Sequence, residues 1–263
     1  MKSIIFLFGL WLSLAAFANP VKPSVYMYNE TTGQIIVNTN NEIVRPIASV
    51  TKIMTAMVAL DYDYNLEKMM HLKPGARLVK GNQTRENVLT ALLVKSDNVA
   101  ADSIADDYPG GRQAFISAMN SKAQALGLKN TFFDDPSGLS AKNVSTVEDI
   151  GSMMQVAALY PFIRTVSTME QARIPQRRGK KNTNVVLNNT NQRLLSQFKE
   201  IVAGKTGFTS RAGFTIGLAV ESAGQKFVIV VLGARTKDHR AKLVNDIIHT
   251  HLNTNDTRYL AGL

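Results

Sequence analysis

The sequence predicts an α/β domain in which an antiparallel sheet is split between the two ends of the chain by an inserted, mostly helical lobe. Three observations carry that prediction. Near the start, Ser24 to Asn29 and Gln34 to Asn38 alternate as strands and are joined by Glu30-Thr31-Thr32-Gly33, a hairpin forming one edge of a sheet. Late in the chain, Ile201–Thr206, Phe214–Glu221 and Phe227–Leu232 read as strands, with Ser222-Ala223-Gly224-Gln225 as the turn between the last two. Between about Tyr62 and Tyr160, apolar residues recur instead at helical spacing.

Taken in order, the first stretch lies outside that domain. Lys2 precedes an apolar run from Ile4 to Ala16, interrupted only by Gly9 and Ser13, and Ala16-Phe17-Ala18 supplies small residues at cleavage positions. This is the pattern of a secretory signal peptide, with cleavage expected after Ala18. A retained anchor is the competing reading, but the run falls short of the roughly 20 apolar residues that a spanning helix needs. No later segment is long and apolar enough to span a bilayer, so no integral span is expected after processing. Residues 19–263 are expected to form one domain, with a sheet lobe at about 19–61 and 162–263 and a helical lobe at about 62–161.

Composition excludes several functions. The 263 residues include no cysteine, so disulfides, thiolate metal sites and a cysteine nucleophile are ruled out. No metal and no cofactor is expected. A formal charge of +10 draws the chain to polyanions. For an exported protein these are teichoic-type polymers, anionic lipid surfaces and carboxylate-bearing wall peptides, and the export signal argues against nucleic acid.

After the hairpin, Pro46 disfavours helix at Arg45. From Ser49 onward nothing breaks a helix, and Val50, Ile53, Met54, Met57 and Val58 recur at helical spacing, so Ser49 is expected to open one. Past Asp61, Lys73-Pro74-Gly75 and Lys80-Gly81-Asn82 punctuate short extended pieces. Thr84 then caps a helix with Val88, Leu89, Leu92 and Leu93 on one face; it ends near Lys95, so Ser96-Asp97-Asn98 falls at a turn between helices. Further helices are predicted over Val99–Asp106, over Gly111–Leu126 with Gly127 as the stop, and over Thr146–Leu159 with Ser145 and Glu148 as a capping box. Arg177-Arg178-Gly179-Lys180-Lys181 reads as a solvated loop, with a polyanion contact as the alternative, and Asn188-Asn189-Thr190-Asn191 as a turn. The closing helix is predicted over Asp238–Leu252, capped by Asp238, with Leu243, Val244, Ile247 and Ile248 inward.

Three motifs carry chemistry. Ser49 and Lys52 are three residues apart on one helical face, so the amine can reach the hydroxyl, and apolar surroundings lower its pKa toward that of a general base. A serine hydroxyl is a weak nucleophile that needs such a neighbour, and amide N–H groups at a helix start stabilise negative charge beside it. Alone, a capping serine and a snorkelling lysine would account for the pair. Ser96 is suited to pass a proton between Lys52, Lys205 and a leaving nitrogen, and Asn98 to hydrogen-bond a substrate amide; alone, Ser96-Asp97-Asn98 is a turn cluster. In a strand pattern, Lys205 adds positive potential and Thr206 a hydroxyl, while Gly207 removes a side chain where substrate must lie against the strand. In this order and these contexts the three match the serine–lysine acyl-transfer set.

On these motifs, together with Arg45-Pro46-Ile47-Ala48-Ser49, Tyr108-Pro109-Gly110-Gly111, Asp135-Pro136-Ser137-Gly138-Leu139 and Lys205-Thr206-Gly207-Phe208-Thr209, the chain resembles the low-molecular-mass penicillin-binding proteins. These are the serine D-alanyl-D-alanine peptidases of the bacterial cell wall, and within them the chain looks most like the short endopeptidase type. The resemblance runs from about Val21 to the last helix. It implies a penicillin-binding-protein/β-lactamase-like domain with helices on both faces of the sheet, and a periplasmic enzyme that hydrolyses D-alanyl cross-links in peptidoglycan through an acyl-enzyme on Ser49. Peptidoglycan peptides would be its substrates and β-lactams its covalent inhibitors. The resemblance also implies an oxyanion hole made by the backbone N–H groups of Ser49 and Phe208. Arg235, in Gly233-Ala234-Arg235-Thr236, matches the arginine that receives a substrate carboxylate, which keeps D-alanyl-D-alanine carboxypeptidase activity as the alternative.

Two departures from sister groups bear on function. Class A β-lactamases need a glutamate to activate the deacylating water, and neither Glu148 nor Glu170 stands in that local pattern, so slow loss of a penicilloyl group is expected. The larger carboxypeptidases carry a further all-β domain and an amphipathic C-terminal helix, whereas only Asn255 to Leu263 follows the last helical pattern here. A β-lactamase and a non-catalytic wall-binding protein are the more distant readings.

Overall fold

A computed structural model of the chain describes residues 22–72, 81–178 and 181–252. The expected signal peptide, the Lys73-Pro74-Gly75 turn, the Gly179-Lys180 pair and the stretch from Asn255 lie outside them.

The described chain opens with β1 (Ser24–Asn29) and β2 (Gln34–Thr39). The side-chain oxygen of Asn29 starts the turn between them by accepting from the N–H groups of Thr31 and Thr32 at 2.9 and 3.2 Å. After β3 (Arg45–Pro46), a single 3-10 turn over Ala48–Val50 runs into α1 (Thr51–Tyr62). Ser49 therefore lies in the turn that feeds the α-helix, just ahead of its first residue. Every residue from Thr51 to Leu60 is buried, so α1 is the axis of the core and not an amphipathic surface helix.

The short pair β4 (Met69–His71) and β5 (Asn82–Thr84) leads to α2 (Arg85–Thr90), capped by the Thr84 hydroxyl, which accepts from Asn87 N–H at 3.3 Å. α2 widens into a π-helical segment over Ala91–Lys95 that ends at Ser96. Then come α3 (Asn98–Asp107), α4 (Gly111–Ala125), β6 (Val144–Ser145), which pairs with β3, α5 (Val147–Ala157) and α6 (Pro161–Ser167). The hairpin of β7 (Gln171–Arg178) and β8 (Lys181–Asn188) and the short α7 (Gln192–Gln197) precede the last three strands. These are β9 (Ile201–Thr209), β10 (Gly213–Ser222) and β11 (Gln225–Ala234), and α8 (Lys237–His251) closes the fold.

Five strands form one antiparallel sheet in the order β2-β1-β11-β10-β9, so the two ends of the chain meet where β1 pairs with β11. Period-2 alternation sends the side chains of β11 to opposite faces. Val228, Val230 and Leu232 join α1, α5 and α6 in one core, while Phe227, Ile229 and Val231 join α7 and α8 in the other. Helices thus cover both faces, and β9 is left as an edge strand bordering the 3-10 turn.

Three local expectations need correction. The cap of α5 is Thr146, whose hydroxyl accepts from Asp149 N–H at 3.3 Å, one residue past the Ser145–Glu148 box. Ser145 is spent instead in the β3–β6 pair and on the Thr131 hydroxyl at 2.7 Å, and Glu148 accepts from Asn41 Nδ2 at 2.7 Å. Likewise Thr236 caps α8, accepting from His239 N–H at 3.0 Å, and Asp238 lies within the first turn, where its charge suits the helix dipole. Of the basic run expected as a loop, Arg177 and Arg178 end β7 and Lys181 opens β8.

Candidate active site

The turn that carries Ser49 is held from several sides. Ala48 adopts φ +49°, uncommon for a residue with a Cβ. Just before it, Ile47 N–H donates to the Asn143 carbonyl at 3.0 Å and the Ile47 carbonyl accepts from the Thr215 hydroxyl of β10 at 3.0 Å. Two glycines let backbone approach this turn. A Cβ on Gly207 of β9 would stand 2.7 Å from Ser49 N and 2.5 Å from Thr215 Oγ1, and Gly138, at φ +83°, lies directly against the Ala48 carbonyl.

Lys52 is fully buried one helical turn along, and its contacts define its state. Nζ lies 3.1 Å from Ser49 Oγ, 2.7 Å from Asn98 Oδ1, and in hydrogen-bond contact with the Ser137 carbonyl. Burial pulls its pKa down to about 7, against the opposing pull of Asp135, Asp97 and Asp102. In the neutral amine, two N–H bonds serve the two carbonyl-type oxygens, which can only accept. The remaining lone pair is then directed at the Ser49 hydroxyl, as a general base requires.

The loop supplying the Ser137 carbonyl is built around one carboxylate. Asp135 accepts from the N–H groups of Ser137 and Gly138, both at 2.6 Å, from Ser140 N–H, and from the Ser137 hydroxyl at 3.0 Å. Although burial opposes it, this cage of donors holds the Asp135 carboxyl below its ordinary range. Asn143 ties the loop to α1, with Nδ2 donating to the Asp135 carbonyl at 2.9 Å and the Thr51 hydroxyl at 3.1 Å, and the Thr55 hydroxyl donates to the Pro136 carbonyl at 2.6 Å. The sequence marked this stretch only as a point of resemblance. A main-chain carbonyl that meets a lysine leaves no signature in residue types.

Ser96 and Asn98 sit on the opposing helical side. Asp97 caps α3 by accepting from Val99 and Ala100 N–H, and this places Asn98 as the first residue of the helix. With Oδ1 engaged by Lys52, the Asn98 NH₂ is the group left for a substrate carbonyl. Ser96 is half-buried in the left-handed region at φ 62°, at the end of the π-helical segment. It is not among the hydrogen-bond partners of Lys52 or Lys205, so a proton relay through it needs substrate or a small movement.

On β9, Lys205 shares a face with Gly207 and so points toward the Ser49 side of the sheet. It is almost fully buried, with Nζ donating to the Thr206 carbonyl at 2.9 Å. Burial pushes its pKa well down, reinforced by the charges of Lys52 and Arg240. Thr206 faces the other way and donates to the Thr190 hydroxyl at 2.7 Å. Phe208 is exposed and stacks on Phe214, its β10 partner, with ring centroids 4.3 Å apart. Arg235, one residue past the end of β11, is exposed. Sequence reasoning missed a second arginine here. Arg240 of α8 is 5% exposed, its guanidinium lies over the Phe214 ring, and its Nη1 donates to the Thr215 carbonyl at 3.3 Å. Burial lowers its pKa to about 10.

Around an edge strand, a buried amine of lowered pKa and a serine 3.1 Å from it, the arrangement can bind an extended peptide and transfer an acyl group. Among the described residues no group of His, Asp and Glu could hold a metal ion, and no helix is long and apolar enough to cross a membrane.

Comparison with known proteins points the same way. Residues 21–236 match the family described as D-alanyl-D-alanine carboxypeptidase. The D-alanyl-D-alanine endopeptidase of Pseudomonas aeruginosa is 35% identical over 221 residues, which cover 80% of this chain and 71% of the relative. The enzyme of the same name from Escherichia coli is 34% identical with the same coverage, and the D-alanyl-D-alanine carboxypeptidase of a Streptomyces species is 30% identical over 80% of this chain and 79% of its own. Among solved structures, the Streptomyces K15 DD-transpeptidase superposes with a TM-score of 0.80 at 26% identity, covering 86% of this chain and 95% of that one.

Proposed function

We propose, from the premise that the chain belongs to the D-alanyl-D-alanine carboxypeptidase family, that it is a serine peptidase hydrolysing D-alanyl amide cross-links in peptidoglycan. The observation that carries this is the Lys52 amine, held between two acceptor oxygens and within 3.1 Å of Ser49 Oγ. The preference for cross-links over terminal D-alanine rests on the two endopeptidases that the chain resembles at 35% and 34% identity.

In this reading Lys52 takes the Ser49 proton as Oγ attacks the D-alanyl carbonyl. The N–H groups of Ser49 and Phe208 receive the oxyanion, and Lys205, where it is protonated against the pull of burial, adds positive potential. As the carbon–nitrogen bond breaks, the proton passes from Lys52 by way of Ser96 to the leaving amine. Water then enters in its place and attacks the acyl carbon as it loses a proton to Lys52; the ester bond to Ser49 breaks, Lys52 returns the proton to Oγ, and the acid leaves. Asn98 orients the substrate amide, Thr206 offers its hydroxyl, Gly207 leaves room for substrate, and Arg235 receives a carboxylate. Glu148 and Glu170 take no part, being engaged by Asn41 and by Lys199 at 2.9 Å.

We place the enzyme in the periplasm, with residues 1–18 as its export signal and 19–263 as one peptidase domain. Its sheet lobe (19–61 and 162–263) and helical lobe (62–161) bracket the cleft. D-alanyl-D-alanine carboxypeptidase activity is the second reading, favoured by the exposed Arg235 just past the end of β11. Product analysis on defined cross-linked and uncross-linked muropeptides tests the choice, because release of monomers from purified dimers supports the endopeptidase and exclusive release of D-alanine defeats it.

A further inference from the structure

Away from the cleft, a groove of about 560 Å³ runs between the β4–β5 ladder and the β7–β8 hairpin. We infer that it binds a neutral, N-acetylated glycan, the polysaccharide that bears the substrate peptides. The choice of occupant rests on the peptidase reading above, whereas the character of the groove does not.

None of the nine described residues that line it is charged, in a chain with 30 lysines and arginines. A carboxylate-bearing peptide or a phosphate polymer would therefore find no cation among these nine described residues. The walls instead carry the side-chain amides of Asn82, Gln83, Asn87, Gln176 and Asn184, several already bonded to one another or to their neighbours, and the hydroxyls of Thr84 and Thr183, groups of a kind that both donate and accept. That mixture suits vicinal hydroxyls and acetamido groups, which also donate and accept. Met69, 59% exposed, and Pro175 add an apolar surface of the kind that the C–H face of a sugar ring covers.

The groove is also preformed. Gln83 is nearly buried, and its Nε2 donates across to the Pro175 carbonyl at 3.2 Å while its Oε1 accepts from Asn87 Nδ2 at 3.0 Å. On the facing hairpin, the Thr183 hydroxyl donates to the Gln176 carbonyl at 3.1 Å. Its placement fits the substrate as well. From Asn87 in the groove, one continuous helical segment leads to Ser96 in the cleft, an advance of about 13 Å at roughly 1.5 Å per residue. An extended four-residue peptide reaches about 13–14 Å. A wall peptide of that length can thus have its sugar end in the groove and its reacting end in the cleft.

The test joins a direct binding measurement to a kinetic comparison. The probe is a β-1,4-linked tetramer of N-acetylglucosamine, titrated calorimetrically into the full chain. In parallel, KM and kcat are measured on a cross-linked peptide dimer with and without its disaccharides. Expected are heat on adding the tetramer and a lower KM for the sugar-bearing dimer. Met69→Ser and Asn184→Ala, both at exposed positions, should each raise that KM about three- to tenfold. They should leave the peptide-only dimer and the rate of β-lactam acylation unchanged, which also shows that the variants are folded. Absence of tetramer binding at millimolar concentration together with equal KM values for the two dimers overturns the inference, as does an equal rise in both KM values in the variants. Binding of the tetramer by a chain that cuts neither dimer would defeat the peptidase reading and leave the glycan site standing.

Discussion

Gly138 and Ala48 meet backbone to backbone: a Cβ on Gly138 would overlap the Ala48 carbonyl group and stand 2.9 Å from Ser49 N. The glycine is also held at φ +83°, so a side chain would be strained even in open space. Ala48 cannot yield freely, because Ile47 before it is tied to both Asn143 and Thr215. Gly138→Ala should therefore shift the Ser49 turn, abolish β-lactam acylation and lower stability by about 1–3 kcal/mol. Gly127→Ala is the control, with a similar φ of +71° and nothing within 4 Å of the added Cβ. It should lower the melting temperature by the strain alone and leave acylation intact.

Ser49 should carry the covalent adduct. β-Lactams mimic the D-alanyl amide, and of the glutamates between Asn98 and Lys205, Glu148 and Glu170 are engaged elsewhere, by Asn41 and Lys199. Intact mass spectrometry after incubation with penicillin should show a long-lived adduct on the native chain and none on Ser49→Ala. Labelling that survives the substitution would remove Ser49 from its role.

The rate of acylation should rise with pH through about 7, because the acting form of Lys52 is the neutral amine. Asp97 pulls the lysine upward, and asparagine caps a helix about as well as aspartate. Asp97→Asn should therefore move the rising limb to lower pH while α3 stays capped. Stability follows the same group. Between about 7 and 10.5 the unfolded chain binds a proton at Lys52 that the folded one has lost, so this lysine makes stability rise with pH across that window and contributes no slope below it. A limb that stays in place in Asp97→Asn would argue against Lys52 as the titrating base.

Export predicts a spectroscopic change. Trp11 is the only tryptophan and lies in the proposed signal, so processed protein should lack tryptophan absorbance and fluorescence. Tryptophan emission from protein recovered in the periplasm would show that the segment had been retained.

What the sequence made legible follows from which physical signals it carries. Strand alternation and helical periodicity placed β1, β2, β9, β10, β11 and the long helices, since each buries a face that its pattern declares. Caps were read less well. Ser145, Thr146, Glu148 and Asp149 stand almost adjacent, and residue type alone does not say that Asp149 is drawn to Asn130 N–H and the Thr131 hydroxyl while Glu148 faces Asn41. The β7–β8 hairpin went unseen because Pro175 breaks the strand pattern and much of β8 is polar, although Ala172, Ile174 and Leu187 are buried. A proline is tolerated in a strand whose outer edge is free. In the site, side chains with chemistry announced themselves. The Ser137 carbonyl that fixes the state of Lys52, and Arg240, which reaches Phe214 and Thr215 of β10 from a helix, became visible only once the chain was folded.

Arg235 separates the two peptidase readings. If the enzyme chiefly trims terminal D-alanine, Arg235 pairs with the substrate carboxylate, a charge-assisted contact worth roughly 1.5–3 kcal/mol, or about ten- to hundredfold in rate. Arg235→Ala should then lower turnover of pentapeptides by that factor. If it chiefly cuts cross-links, binding energy is drawn from a longer contact surface, and the same substitution should matter less on dimers than on pentapeptides. Arg240 gives the necessary contrast. It is buried, packs over Phe214, and its charge depresses the Lys205 pKa, so Arg240→Ala should lower stability and acylation together whichever bond is cut. An exposed arginine past the end of a strand has no such packing to lose, so a selective loss in Arg235→Ala can be assigned to substrate. We expect the smaller effect on dimers, in keeping with a cross-link cutter. Native protein that releases D-alanine readily yet leaves purified dimers intact would reverse that assignment and make Arg235 the anchor of a carboxypeptidase.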